Sequence, residues 1–123
     1  MELHPNIPTI KYEDFTKLDL RVGTIFEASL HPDADKLLVL QVDLGNEKRQ
    51  IVAGIKKHYP IEKLAKLIEG EGWVGQQIIV VTNLEPRTLR GVVSHGMLLA
   101  ATSLDDLALI APEHRIAPGS KVG

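Results

Sequence analysis

The sequence predicts a small all-β domain, a barrel of five strands with one short helix between the third and fourth strands. Apolar residues occur mostly in alternating or short continuous blocks of strand length, bounded by glycine, proline, asparagine and aspartate. A single stretch has helical spacing instead. Because turns join most of these blocks, a barrel fits better than a parallel α/β sheet. The length of 123 residues fits one domain.

The first predicted strand covers residues 19–30, DLRVGTIFEASL. Positions 20, 22, 24, 26 and 28 are Leu, Val, Thr, Phe and Ala, and strict alternation predicts that they share one face. Gly23 interrupts the opposite face. A glycine inside a strand indicates a bulge or a close backbone approach, so we expect one of the two there.

Two further strands follow through turns. HPDAD at 31–35 is typical of a turn, because proline fixes a backbone angle and aspartate bonds nearby amides. Residues 36–44 form a second, nearly continuous apolar strand. GNEK at 45–48 turns the chain back into a third strand at 49–55, and this spacing predicts a hairpin.

The remaining elements complete the barrel. Residues 60–68 predict a short helix, with Pro60 in its first turn and apolar residues at 61, 64, 65 and 68 on one face. Residues 75–84 predict a fourth strand and 97–103 a fifth, joined by a loop. The single domain thus has a barrel core at about 15–103. A mostly irregular C-terminal extension follows at 104–123.

Three strands, a helix and two strands are the element order of an OB-fold. In that fold, ligands lie across strands two and three, between the loop that joins strands one and two and the loop that joins strands four and five. Here those loops are SLHPDADK and NLEPRTLRGVVSHG. The sequence therefore predicts a ligand-binding surface at these two segments.

Composition restricts the chemistry of that surface. The chain has no cysteine, which excludes disulfides and thiolate zinc sites. Its five histidines have no helical metal spacing, so we expect no metal and no cofactor. The N-terminus lacks the pattern of a signal peptide, and no apolar run has the length of a membrane span. We expect a cytoplasmic protein without a membrane partner.

Ser94 and His95 raise the question of catalysis. Adjacent residues of an extended chain point to opposite sides, which separates a nucleophile from its base. The glycine that a nucleophile elbow needs two residues before the serine is replaced by Val92. We therefore expect no catalytic residue.

Basic residues indicate an anionic ligand despite a net charge of −2. Arginine and lysine meet phosphates, and Arg also stacks on bases. Asparagine and serine can bond bases, riboses or phosphates. For each cation an ordinary solvated charge is the competing interpretation, and for Asn83 it is turn chemistry. The candidate binding residues are Lys36, Arg49, Lys56, Lys57, Asn83, Arg87, Arg90 and Ser94.

Five segments occur in a recognisable order: DLRVGTI, HPDADKLLVLQVDLG, RQIVAGI, NLEPRTLRG and SHGMLLAA. Together they resemble the tRNA-binding domain of the methionyl-tRNA synthetase β-subunit, free-standing tRNA-binding protein and endothelial-monocyte-activating polypeptide type. The resemblance implies a non-catalytic module that binds tRNA by its shape and adds affinity to methionyl-tRNA synthetase. It also implies that Met97 contacts a base, for which core filling is the alternative. A related branch of secretion chaperones implies the rival function, a peptide-binding dimer.

Apolar residues outside the barrel bear on assembly. The N-terminal arm and the C-terminal tail carry several, and large exposed apolar patches are unusual on monomers. Free-standing members of the family resemble homodimers joined by segments outside the barrel, so we expect a homodimer built from the two extensions. The alternative is that the extensions fold back on their own barrel. The residues concerned are Leu3, Ile7, Ile10, Leu107, Leu109, Ile110 and Ile116.

Overall fold

The computed structural model describes residues 6–62 and 75–123, which form a five-stranded antiparallel barrel with added short strands. A four-residue helix, α1 (Tyr12–Phe15), precedes the barrel. The strands are β1 (Leu20–Leu30), β2 (Leu38–Asp43), β3 (Lys48–Ala53), β4 (Gln76–Val81), β5 (Arg87–Leu89), β6 (Val92–Ser94), β7 (Met97–Leu98), β8 (Ala100–Ser103), β9 (Asp106–Leu109) and β10 (Lys121–Val122).

The barrel follows the strand order β3-β2-β1-β4-β7, with every pair antiparallel. Its seam lies between β3 and the segment before β7, where the His95 amide donates to the Gln50 carbonyl at 2.8 Å. The interior is filled by a single aliphatic cluster that includes Ile25, Leu40 and Ile78, each with no exposed surface. The OB-type barrel expected from the element order is thereby confirmed.

A β-bulge in β1 makes one strand serve two apolar layers. The pairing with β2 shifts between Ile25 and Glu27, so Phe26 has no partner on the neighbouring strand. Before the bulge, Leu20 and Val22 belong to a second cluster, whereas Ala28, after the bulge, packs against the barrel interior. The prediction that positions 20 to 28 share one face is therefore wrong, because the bulge exchanges the two faces halfway along the strand.

Gly23 is a point of close approach. A Cβ atom at this position would lie 2.5 Å from Val42 Cγ1, which is shorter than any allowed contact distance between two carbon atoms. The bulge itself occurs three positions later, at Phe26. Of the two predicted roles of Gly23, the close approach is confirmed.

The predicted loop at 84–96 is not irregular. It contains an antiparallel hairpin, β5 paired with β6, with Arg90 and Gly91 as its two turn residues. The predicted fifth strand at 97–103 is divided into β7 and β8, because Leu99 leaves the β7 register and its amide bonds to the Ile79 carbonyl at 3.0 Å. Both differences concern pieces of two to four residues, too short for a pattern of alternation.

The C-terminal extension is ordered against the barrel. Leu107 and Leu109 lie on β9 and pack against the barrel core. Further on, β10 pairs with β1, and the Gln77 side chain bonds both the amide and the carbonyl of Ile116, at 3.1 and 2.7 Å. The second apolar cluster, with Leu20, Val22, Ile79 and Val81, is covered by Leu99 and Val122. The expectation of a mostly irregular tail is wrong for these segments, whose backbone finds partners on β1 and β8.

The predicted helix at 60–68 lies mostly outside the described residues, which resume at residue 75. Within the described part, Ile61 packs against the barrel core, as its position on the predicted apolar face requires.

Candidate functional site

Two chain segments form the walls of the candidate site. One is the β1–β2 loop, residues 31–37, and the other is the β5–β6 hairpin. The hairpin turns through Arg90 (φ 51°) and Gly91 (φ 89°), both in the left-handed region. Two positive φ angles match a type I′ turn, the two-residue turn whose twist suits a hairpin. Glycine takes this conformation readily, whereas Arg90 holds its exposed guanidinium from a sparsely populated backbone conformation.

The base of the hairpin is fixed to β3 by side-chain hydrogen bonds. The Gln50 amide donates to the Val93 carbonyl at 2.8 Å. The Ser94 hydroxyl accepts from the Val52 amide at 2.9 Å and donates to the Gly96 carbonyl at 3.0 Å. The base of the hairpin therefore lies along the edge of β3 that does not pair with β2. β3 is one of the strands across which an OB-fold binds its ligand.

Lys36 and Arg90 meet at one end of this surface. They line a concavity of about 430 Å³ between the β1–β2 loop and the hairpin tip, and both side chains are exposed. Asp33 and Asp35 line the same concavity, so the local charge is balanced. The two cations that sequence reasoning placed on facing loops are thus neighbours, with two carboxylates beside them.

Arg87 and Met97 line a second, smaller concavity of about 110 Å³. Its walls include Leu84 and Leu89, and its floor includes Val52 and Ser94. Met97 is 48% exposed, so it does not fill the core and its thioether is available to a ligand. An apolar slot beside an arginine offers a surface on which a nucleobase can stack.

Arg49 lies in a third concavity, of about 480 Å³, which also includes Lys48 and His95. Its guanidinium donates to the carbonyl of Thr82, contacts the His95 carbonyl at 3.4 Å and pairs with the Glu47 carboxylate at 2.7 Å. These contacts join β3 to β4 and to the segment before β7. Arg49 therefore closes the barrel seam, and most of its donors are already engaged.

Asn83 and Ser94, the two uncharged polar residues predicted to contact RNA, form hydrogen bonds to the protein's own backbone. The Asn83 side chain accepts from the Asp19 amide at 2.8 Å and donates to the Lys17 carbonyl at 2.6 Å, which ties the end of β4 to the start of β1. Ser94 is 4% exposed, and its hydroxyl is used by Val52 and Gly96. Ser94 thus supports the surface from beneath, whereas Asn83 is exposed with its amide group engaged by the backbone.

Lys56 and Lys57 follow β3 at the end opposite Arg49. Ala53, the last residue of β3, pairs with Leu38, whereas Arg49 pairs with Val42. Neither lysine lines any of the three concavities described above. The cations thus converge only in part. Arg87 and Arg90 lie on the hairpin and Lys36 lies beside its tip, whereas Arg49, Lys56 and Lys57 lie at the two ends of β3.

Sequence reasoning did not identify His31 and Lys48. His31 is buried, and its ring bonds to both walls of the site. Lys48 lies over the Phe26 ring, 5.0 Å from its centroid. The HPDAD motif was the available signal for His31, although turn chemistry explained it without a long-range partner.

Within residues 6–62 and 75–123, no group of three or more histidine, aspartate or glutamate side chains is placed to hold a metal ion. In that same part of the chain, no helix has both the length and the apolar character to cross a membrane.

Comparisons with known proteins agree with this geometry. Residues 20–121 match the family described as "Putative tRNA binding domain". A methionine–tRNA ligase of Pyrococcus horikoshii is 50% identical over 113 residues, which are 92% of this chain and 14% of that ligase. The chain therefore spans about a seventh of the length of the curated relatives it matches.

Two solved structures share the fold. A MetRS related protein from Pyrococcus horikoshii has a TM-score of 0.81 and 33% identity, covering 95% of this chain and all of the other. The chaperone CsaA from Bacillus anthracis has a TM-score of 0.78 and 30% identity, covering 94% of this chain and all of the other. Since the family model covers most of the chain and both structures align over nearly its full length, the chain belongs to the tRNA-binding domain family.

Proposed function

We propose that this chain is a non-catalytic module that binds tRNA across β3, between the β1–β2 loop and the β5–β6 hairpin. The observation that carries the proposal is the row of exposed cations along the hairpin, Arg87 and Arg90, with Lys36 facing its tip. Cations at separate points of a rigid surface contact successive phosphates, which favours recognition by shape over sequence. Membership in the tRNA-binding domain family supports the same ligand.

The role of each group follows from its surroundings. Lys36, Arg87 and Arg90 contact phosphates, and Met97 lies against a base. Arg49, Asn83 and Ser94 support the surface through their backbone contacts and reach RNA only at its margin. Lys56 and Lys57 extend the positive surface beyond the C-terminal end of β3, the end nearest the β1–β2 loop. No group in this set needs a cofactor or a metal.

Binding of unfractionated tRNA at two salt concentrations tests the proposal. Replacing Arg87 and Arg90 by alanine removes two phosphate contacts, so the slope of log K against log salt should fall by about one unit per arginine. A matched control replaces Lys11 and Lys121, which lie outside the three concavities, and should change the slope less. Unchanged affinity in a folded Arg87→Ala/Arg90→Ala protein would contradict the proposal.

A peptide-binding chaperone is the second candidate. It is favoured by the likeness to the chaperone CsaA and by the apolar concavity that includes Leu84, Leu89 and Met97. Competition separates the two functions: an unfolded polypeptide should not displace tRNA if RNA is the ligand of this surface. Tight peptide binding that resists salt, without tRNA binding, would favour the chaperone.

We also propose two kinds of assembly. The relatives named as methionine–tRNA ligases support association with methionyl-tRNA synthetase, either within one polypeptide or as a separate subunit, in the cytoplasm where tRNA is charged. The homodimer implied by the apolar extensions is supported by residues that stay exposed, such as Ile7, Ile10 and Leu104, at 65%, 62% and 104%. A dimer joins two cationic surfaces and raises the effective concentration of the second.

A further inference from the structure

His31 connects the two walls of the candidate site through one buried imidazole. The side chain is 6% exposed. Its Nδ1 accepts a hydrogen bond from the Asp33 amide at 3.0 Å, and its Nε2 lies 2.9 Å from the Leu89 carbonyl oxygen. Asp33 belongs to the same β1–β2 loop, whereas Leu89 is the last residue of β5.

These two contacts fix the protonation state of the ring. A backbone amide can only donate, so Nδ1 must be the unprotonated nitrogen. A carbonyl can only accept, so Nε2 must carry the hydrogen. The arrangement therefore requires a neutral imidazole with its hydrogen on Nε2.

The contact with Leu89 acts directly on the hairpin tip. Leu89 precedes Arg90, and the hairpin is otherwise held at its other end, where Val93 and Ser94 bond to β3. Among the described residues, the His31 bond is the hydrogen bond that joins the hairpin to the β1–β2 loop. Because Arg90 occupies a left-handed backbone conformation, its direction depends on how firmly the residue before it is held.

We propose that His31 is the positioning residue of this surface: it sets the Arg90 guanidinium opposite Lys36, and only its neutral ring does so. The inference rests on the proposed tRNA function and adds a residue that touches no RNA. Protonation would place a hydrogen on Nδ1 against the Asp33 amide, donor facing donor, and the ring would have to leave its position. The charged groups of the two walls around it are Asp33, Asp35, Lys36, Arg87 and Arg90.

Two substitutions separate the two hydrogen bonds. His31→Asn keeps a short side-chain oxygen for the Asp33 amide but cannot reach the Leu89 carbonyl. His31→Gln keeps an amide donor with the reach of Nε2. His31→Asn should weaken tRNA binding severalfold and lower the salt slope by about one unit, as Arg90→Ala does. His31→Gln should restore most of both, and His114→Asn, on an exposed tail residue, should change neither.

A double-mutant cycle identifies the route. If His31 acts through Arg90, then His31→Asn combined with Arg90→Ala should bind no more weakly than Arg90→Ala alone. Additive losses would overturn the proposal, because His31 would then act independently of Arg90.

Rescue supplies the readout that a merely space-filling role would not give. His31→Gln and His31→Leu both fill the buried position, but only glutamine can donate to the Leu89 carbonyl. His31→Gln should therefore bind tRNA more tightly than His31→Leu. Equal affinities of these two folded variants would contradict the positioning role, and this comparison still decides the matter if His31→Asn does not fold.

Amide exchange measured without tRNA distinguishes failure of this inference from failure of the proposed function. Gly91 and its neighbours should exchange faster in His31→Asn than in wild type, while the β3 amides stay protected. If wild-type protein binds no tRNA, the proposed function fails and the exchange data still report whether His31 fixes the hairpin. If wild type binds and His31→Asn binds equally well, the positioning role fails alone.

Discussion

Asp19 immediately precedes β1, and its carboxylate and backbone bond both to β1 and to the residues that follow β4. The Thr82 hydroxyl donates to the carboxylate, and Arg21 Nε lies 3.1 and 3.0 Å from its two oxygens. The hydrogen bond from Thr82 and then the one from Arg21 lower the pKa of Asp19, against a smaller opposing effect of desolvation. Both donors favour the ionised form, so folding is coupled to the charge on this residue.

A group whose folded pKa is depressed stabilises the fold above its unfolded pKa and loses that contribution as the pH falls through the folded value. The contribution of Asp19 should therefore be complete above about pH 4 and disappear below it. Asp19→Asn should unfold at a lower urea concentration than wild type at neutral pH, and the two midpoints should approach each other in acid. Urea titrations across that range measure the difference, and parallel curves would contradict the role of the charge.

Residue identity alone could not divide the predicted contacts into exposed and engaged groups. Arg87, Arg90 and Met97 are exposed, as RNA contacts must be, whereas the side-chain polar groups of Asn83 and Ser94 bond backbone groups far away in sequence. Those partners lie just before β1 and on β3, and only the closed barrel brings them near. The same reason concealed His31, whose partner Leu89 lies on a hairpin that sequence reasoning treated as a loop.

At the scale of strands, β1 is shaped by one missing side chain and one extra residue. Gly23 faces the interior, where Val42, Leu44 and Val80 leave no room for a methyl group. The bulge at Phe26 then shifts the alternation by one residue, so that Ile25 before it and Ala28 after it both face the interior. The closed geometry of the barrel depends on both features.

Gly23→Ala should destabilise the fold by roughly 1–3 kcal/mol, because the methyl group would overpack a filled interior. Gly54→Ala is a matched control, since a Cβ there meets nothing nearer than Leu37 Cδ2 at 3.8 Å. Urea unfolding of the two variants should separate them clearly. Equal midpoints would mean that the interior adjusts more easily than the 2.5 Å approach to Val42 implies.

Strands long enough to show a pattern could be predicted, and shorter ones could not. The first three strands agree with the structure to within two residues at each end, and the fourth to within three. The β5–β6 hairpin has three residues on each side and turns on Arg-Gly instead of the usual Asn-Gly, so its local signal is weak. β9 and β10 form because β8 and β1 are available to pair with them. The sequence of such short strands does not itself predict this pairing.

The whole molecule consists of two apolar layers that share β1 and β4. The barrel interior is one layer, and the outer cluster of Leu20, Val22, Ile79 and Val81 is the other, closed by Val122 of the tail. Part of the tail thus folds back on its own barrel, as the alternative to a dimer interface required. Other apolar residues of the two extensions stay exposed, including Tyr12 at 77%.

The proposed homodimer should scatter light with a mass near twice the 13.5 kDa of the chain. Ile10→Asp with Tyr12→Asp places charge in the exposed arm and should shift the mass toward monomer, with weaker tRNA binding as a result. Leu30→Asp is the control: it also replaces an exposed apolar residue by aspartate, at a position that is 52% exposed but outside the extensions. It should leave the mass unchanged. A monomeric wild-type chain at micromolar concentration would refute the dimer.

Pairing between Leu20 and Val122 has a consequence for the order of events during synthesis. A growing chain can assemble β1, β2 and β3 from neighbouring segments, but the outer cluster of Leu20, Val22, Ile79 and Val81 is covered by Leu99 and Val122, which are made later. Until residue 122 has left the ribosome, this apolar sheet face is only partly covered. Exposed sheet faces of this kind drive aggregation of nascent chains. The interval between translation of β4 and of β10 is therefore the period in which this domain is most prone to aggregate.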